Sequence, residues 1–444
     1  MARVWRTLGM RVQVRPSELK GTLQVPGSKS HTIRCAVLSS LAKGESIIQN
    51  PLASGDGLSS LHAAQSFGIS IQKSFDRWVV QGSGGNLSLP QTCIDTGNSG
   101  TTTCFFTSVA SLVDGYTVIT GDEQIRRRPI KILVDALNSL GAKAFLTRPN
   151  QAAPPVVIRG LLKGGDATID GFNSQYVSSL LVSSALAEGS TTLTVRNALE
   201  KPYVRMTLEW MRRFGVVVEN HQDCEHFVIE GGQTYRSPGV CSVPADWSAV
   251  AFPLVAACIT NSSLRLTGLD YADMQGDKRV VSILKQMGAH ISTQEQEGTL
   301  HVEGGQRLKG GLVIDLGDIP DALPALVVAA TQADGVTTFT NLAHVRIKET
   351  DRVQEMYEKL TLLGCNLQID GDSLTVRGPS KIAGGEVSSS HDHRIAMALV
   401  CAGLAAQEQV VVTEAECAAV SFPNFFEKLM ACGADLKLIE DELA

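Results

Sequence analysis

The chain has 444 residues, 43% hydrophobic and 19% charged, with 41 glycines, a length that exceeds one compact core and calls for two or more domains. Its formal net charge of -6 argues against a nucleic-acid or anionic-membrane partner, and no uncharged apolar run reaches the roughly 18 residues of a membrane span. The N-terminal segment carries no apolar signal core, and the ten cysteines lack C-x-x-C or zinc-ligand spacing, which fits free thiols in a reducing cytoplasm.

Taken in order, Gly21–Val25 reads as a strand that ends in Pro26-Gly27, and Ile33–Ala42 as an apolar helix. Between them stand Ser28, Lys29, Ser30 and Thr32, followed by Arg34. Hydroxyls and cations at a helix start make an anion cradle, because the first turn leaves N–H groups unpaired and the dipole is positive there. The spacing is not that of a Walker loop.

A long internal period follows. Six helical patterns end at Gly68, Gly141, Gly215, Gly288, Gly364 and Gly433, at spacings of 73, 74, 73, 76 and 69 residues. Seven, four and one residues before each glycine the side chain is apolar or aromatic, from Leu61, Ala64 and Phe67 to Phe426, Leu429 and Cys432. That is one face of an amphipathic helix with a left-handed glycine just past its end. Apolar residues one and three positions later predict a strand.

A second helix recurs at the same period and is apolar nearly all round: Ile33–Ala42, Thr101–Leu112, Tyr176–Ala187, Ala249–Ile259, Leu323–Ala333 and Ile395–Ala406. Such helices belong in a core. Polar clusters precede them, among them Asn98-Ser99-Gly100, Asn173-Ser174-Gln175, Asp318–Asp321 and His391–Arg394. The pattern predicts an α/β protein of two pseudo-symmetric lobes, three repeats each. Residues 28–239 form one lobe, and 1–27 with 240–444 form the other. Gly231–Gly239 is the expected linker, and the active site is expected in the cleft between the lobes. A solenoid is the competing architecture, although its repeats are usually shorter.

Candidate chemistry gathers at helix starts. In R-I-K-E-T-D-R (Arg346–Arg352), Glu349 among Lys348, Arg346 and Arg352 suits proton transfer. Asp321 is either an N-cap or a general base. Arg126-Arg127-Arg128 precedes Pro129, a favoured first helical residue. His391 and His393 lack a third ligand at metal spacing, so no metal is expected. Lys29, Arg34, Arg128, Lys348, Arg352 and Arg394 together suit small substrates that carry several phosphates or carboxylates.

The motifs V-P-G-S-K-S, D-T-G-N-S-G-T, R-R-P-I, S-Q-Y, K-P-Y, M-Q-G-D-K-R, P-D-A-L, K-E-T-D-R, D-H-R-I-A-M-A and S-F-P-N-F-F-E occur in this order. On them the chain resembles the enolpyruvyl transferases over nearly its full length, in the branch whose acceptor is shikimate 3-phosphate. The resemblance implies two lobes, each of three βαβαββ units around buried parallel helices. It implies enolpyruvyl transfer from phosphoenolpyruvate to the 5-hydroxyl of shikimate 3-phosphate through a tetrahedral ketal, in a monomer with no cofactor.

Carried over by motif, Ser30 and Arg34 would hold the shikimate carboxylate, and Asn173 and Ser174 the 3-phosphate. Gln175 and Tyr203 would line the ring, while Lys348 and Asp321 would reach the hydroxyls. Lys29 and Arg128 would bind the phosphate of phosphoenolpyruvate, and Arg352 and Arg394 its carboxylate. Asn98, Gly100, Gln175 and His393 would shape that pocket. Lys29, Asp321 and Glu349 would be catalytic. Cys104 and Val420 stand where the family usually has Arg and Lys, His344 and His391 where it usually has Asn, and Glu200 where some relatives have Ser. These departures leave two alternatives: a diverged enzyme that acts by elimination, or a non-catalytic ligand-binding relative.

Overall fold

The computed structural model describes residues 9–440. Its helices alternate in chain order between buried and amphipathic. The buried ones are α1 (Lys29–Leu41), α3 (Gly100–Ala110), α5 (Ser174–Ser184), α7 (Trp247–Cys258), α9 (Leu323–Thr331) and α11 (His393–Leu404). The amphipathic ones are α2 (Gly55–Ser66), α4 (Lys131–Ser139), α6 (Lys201–Arg213), α8 (Arg279–Gln286), α10 (Arg352–Leu362) and α12 (Phe425–Ala431). Each amphipathic helix ends two residues before one of the six periodic glycines, whose φ values of 80 to 101° are the left-handed conformation that the spacing predicts.

The chain forms two compact units. Unit A is Gly27–Pro244; unit B takes the residues up to Pro26 and those from Ala245 onward. Each has its own apolar core and three four-stranded sheets. In unit A the sheet orders are Val240–Ser242, Lys43–Gln49, Arg77–Ser83, Ser70–Lys73; then Ile94–Asp95, Tyr116–Thr120, Val156–Arg159, Lys143–Leu146; then Gly165–Asp170, Thr191–Arg196, His226–Ile229, Glu219–His221. In unit B they are Lys20–Gln24, Ser263–Thr267, Thr299–Glu303, His290–Gln294; then Val313–Asp315, Gly335–Thr340, Ser373–Gly378, Asn366–Asp370; then Gly385–Ser388, Val410–Thr413, Met10–Val14, Leu436–Glu440.

In every sheet the first pair is parallel and the next two are antiparallel. A parallel neighbour needs a crossover, which α3, α5, α9 and α11 supply in four of the sheets. In the other two, Lys43–Gln49 pairs with Val240–Ser242 and Lys20–Gln24 with Ser263–Thr267, strands far apart in sequence. In five sheets the antiparallel strands follow an amphipathic helix as a hairpin, and in the sixth Leu436–Glu440 pairs with Met10–Val14. The result is the βαβαββ repeat. Sheets closed around two separate cores, with Met10 paired to Glu440, exclude a solenoid.

The division falls at Pro244, not at Gly239, because Val240–Ser242 pairs in parallel with Ile47–Gln49 of unit A. The expected linker Gly231–Gly239 is packed structure. Tyr235 within it is fully buried and donates its hydroxyl to the Val182 carbonyl at 2.9 Å. Pro129 also departs from expectation: α4 begins at Lys131 with Ile130 as its cap, and the Pro129 carbonyl instead accepts the Tyr176 hydroxyl.

The buried helices carry many hydroxyls, some of which bond backward along the helix, as Thr32 does to the Ser28 carbonyl and Thr103 to the Ser99 carbonyl. Several of these helices also start earlier than their apolar residues predict. Lys29, Ser174, His393 and Arg394 are therefore first-turn helical residues, with backbone directions set by the core.

Candidate active site

In unit A the approach to α1 depends on Gly27. A Cβ there would lie 2.1 Å from the Asn50 carbonyl oxygen, so only glycine lets the chain turn into the helix at this point. Lys29 follows as the first helical residue, its ammonium 3.3 Å from Asp56 Oδ2; the two side chains are 10% and 4% exposed. Asp56 itself occupies the first turn of α2, where a helix start favours negative charge.

Arg34, one turn further along α1, is buried. Nε donates to Thr207 Oγ1 at 2.7 Å, Nη1 to the Ser30 carbonyl at 3.0 Å, and Nη2 to the Tyr203 carbonyl at 3.1 Å. Its guanidinium also faces the rings of Phe105 and Tyr203. Burial pulls the Arg34 pKa down to about 10, against the opposing pull of Tyr203 and Glu200, so the group stays charged at neutral pH. The expected ligand for a substrate carboxylate thus also bolts α1 to α6.

At the start of α3, Ser99 Oγ accepts the Thr102 amide at 3.3 Å and Asn98 Nδ2 donates to Gln124 Oε1 at 2.8 Å. A Cβ on Gly100 would lie 2.4 Å from Arg128 Nη1, with Gln175 Oε1 3.7 Å away. The missing side chain lets the guanidinium rest against the helix start. Cys104 Sγ lies 3.7 Å from the same Gln175 oxygen. Asn98, Gly100, Arg128 and Gln175 therefore form one group. At the start of α5, Asn173 Oδ1 accepts the Gln175 amide at 3.0 Å. The Ser174 amide and hydroxyl both donate to Glu200 Oε2, at 3.1 and 2.6 Å.

Unit B holds the second group. Arg352, at the start of α10 and 1% exposed, donates Nε to Asp392 Oδ2 at 2.8 Å, Nη1 to Asp321 Oδ1 at 2.7 Å and Nη2 to Glu349 Oε2 at 2.5 Å. Asp321 Oδ2 accepts Arg394 Nη2 at 2.8 Å. Burial works against both guanidinium charges. For Arg352 the carboxylates of Asp392, Glu349 and Asp321 outweigh burial, and for Arg394 chiefly Asp321 does, so both pKa values rise. Nε and Nη1 of Arg394 are buried with no hydrogen-bond partner among the described residues, two donors aimed where an anion could accept them.

Buried His393 follows Asp392 with Nδ1 3.9 Å from its Oδ1, while Lys348 is partly exposed at the end of a 3-10 turn. Val420 closes the 3-10 turn Ala415–Val420, and His344 is buried. His391 is largely exposed, with Nε2 3.6 Å from Glu414 Oε1.

Asp56 is not singled out by the sequence, and Asp392 stands there only as a member of the His391–Arg394 cluster, with no role of its own. Their signal is positional: Asp392 is the N-cap of α11, its Oδ1 accepting the Arg394 amide at 2.9 Å, and Asp56 lies in a first turn. An acid at a helix start normally reads as a cap alone.

Six βαβαββ repeats around two cores, with paired cations and carboxylates gathered at helix starts, define the architecture of an enolpyruvyl transferase. The profile of the EPSP synthase family (3-phosphoshikimate 1-carboxyvinyltransferase) matches residues 14–429, and the chain belongs to that family. It is 44% identical to the 3-phosphoshikimate 1-carboxyvinyltransferase of Acetivibrio thermocellus over 97% of this chain and 100% of that protein. The corresponding enzyme of Methanococcoides burtonii is 40% identical over 97% of this chain and 100% of its own length. A solved EPSP synthase from Acinetobacter baumannii superposes with a TM-score of 0.79 at 29% identity, covering 97% of this chain and 100% of that one.

Proposed function

We propose that this chain transfers the enolpyruvyl group of phosphoenolpyruvate to the 5-hydroxyl of shikimate 3-phosphate and releases phosphate, as part of aromatic amino-acid biosynthesis. The observation that carries this reading is the Arg352–Asp321–Arg394 cluster with Glu349 on the same guanidinium. Two buried cations suit a carboxylate substrate, and two carboxylates locked by one arginine suit proton transfer in both directions.

The 5-oxygen of the acceptor adds to C2 of phosphoenolpyruvate as its proton leaves and a proton reaches C3. The ketal then loses a C3 proton and the C2–O bond to phosphate breaks, which restores the double bond on the product. Asp321 and Glu349 serve these transfers, with Arg352 holding both in place. Arg352 and Arg394 hold the donor carboxylate, and Lys29 and Arg128 its phosphate. Ser30, Arg34, Ser174, Gln175, Tyr203 and Lys348 hold the acceptor. No step calls for a cofactor, and we place the enzyme in the cytoplasm as a monomer, a setting that its ten free cysteines suit.

Turnover in deuterium oxide tests the proton route. Deuterium should enter the methylene group of the product, and Glu349→Gln should suppress turnover by about 10²–10⁴-fold. Product formation without any label would contradict protonation at C3.

A further inference from the structure

The two residues at the start of α5 that were expected to meet the acceptor's phosphate are both engaged inside unit A. Asn173 spends its side-chain oxygen on the Gln175 amide. Ser174 gives both its amide and its hydroxyl to Glu200 Oε2. Glu200 is 2% exposed and sits directly before α6 with φ of 54°. Its placement is therefore fixed by the start of that helix and by burial, unlike that of a loose surface side chain. Free N–H groups and the dipole make a helix start an anion site. Here a buried carboxylate of the same chain already accepts both the Ser174 amide and the Ser174 hydroxyl. The charge also reaches Arg34, where burial lowers the pKa and Glu200, with Tyr203, opposes that fall.

We propose that Glu200 is a specificity-determining residue, an internal anion standing in the phosphate position of the acceptor subsite. This rests on the proposed reaction. An acceptor with a phosphate at this position must displace the Glu200 carboxylate from Ser174 and then lie beside a like charge. An acceptor with a neutral hydroxyl there leaves Glu200 in place and donates a hydrogen bond to it. Glu200 thereby shifts the preference of the subsite from phosphorylated toward unphosphorylated ring hydroxy acids.

The test is calorimetric titration of the full chain with shikimate 3-phosphate and, separately, with shikimate, for the parent, Glu200→Gln and Glu200→Ser. Glu200→Gln keeps the side-chain size and supplies the answer if Glu200→Ser fails to fold. Shikimate 3-phosphate should bind the variants tighter by on the order of tenfold or more, since juxtaposed like charges are strongly unfavourable. Shikimate affinity should stay level or fall. Parent binding of shikimate 3-phosphate that neither variant strengthens would overturn this inference alone. No binding of shikimate 3-phosphate to the parent or either variant would overturn the proposed reaction, and the inference with it.

Discussion

Arg352 and Arg394 share one carboxylate: the two oxygens of Asp321 lie 2.7 Å from Arg352 Nη1 and 2.8 Å from Arg394 Nη2. Asp321 is 21% exposed while the two guanidinium groups are 1% and 2% exposed, so it is the side of the cluster that solvent and substrate can reach. Replacement by Asn keeps the shape and removes the proton acceptor. Asp321→Asn should lower kcat by about 10²–10⁴-fold. Steady-state rates with both substrates saturating would show it, and a kcat within about threefold of the parent would remove Asp321 from proton transfer.

Arg352 and Arg394 differ in how much they hold. Arg352 pairs with Asp392, Asp321 and Glu349, whereas among the described residues Arg394 forms an ion pair with Asp321, and Asp246 and Asp277 act on it at longer range. Taking one partner from a buried ion pair leaves the rest uncompensated at a cost of about 3–5 kcal/mol. Arg352→Met should destabilise the chain by about that amount. Arg394→Met should cost less, and two equal shifts in urea midpoint would refute the contrast.

Gly100 tests the donor site by size. Ala is compatible with its helical backbone, but the new Cβ would meet Arg128 Nη1 at 2.4 Å and push the guanidinium away. A charge-assisted contact is worth about 1.5–3 kcal/mol, so Gly100→Ala should raise KM for phosphoenolpyruvate by roughly tenfold or more. KM for the acceptor should change little. An unchanged KM for phosphoenolpyruvate would separate Arg128 from donor binding.

Asp56 positions Lys29. Asp56→Asn should raise KM for phosphoenolpyruvate while Lys29→Met lowers kcat/KM further. Equal behaviour of Asp56→Asn and the parent would show that Lys29 needs no partner.

Away from the site, Glu209 on α6 is held by its hydrogen bond to Arg212, assisted by Arg213, which lowers its pKa to about 2. A carboxyl depressed in the folded state contributes stability above its unfolded value of 4.5, and that contribution is lost as pH falls from 4.5 toward 2. The site is solvent-screened, so the contribution is about 1 kcal/mol at most. Glu209→Gln should lower the urea midpoint slightly at pH 7 and leave it unchanged near pH 2. A constant difference at both pH values would assign the effect to packing.

The fold was legible because its signals are local. Gly68 and its five counterparts end helices through a backbone conformation that favours glycine, and the apolar faces repeat at fixed spacing. Helix starts were less legible. Lys29 and Ser174 are helical although polar, since Asp56 and Glu200, buried and distant in sequence, pair with them. The same long-range pairing hid Asp56 and the role of Asp392, and it hid how Ser174 is engaged: Glu200 lies 26 residues away in sequence yet takes both of its donors. The division at Pro244 was missed for a related reason, because only the pairing of Cys241 with Ile48 shows that this strand belongs to unit A.

The most direct measurement is phosphate release by the purified chain given shikimate 3-phosphate with and without phosphoenolpyruvate, with mass spectrometry of the products. The account predicts release only when both are present, together with an acceptor that has gained an enolpyruvyl group. Release from shikimate 3-phosphate alone, or no release with both, would contradict it.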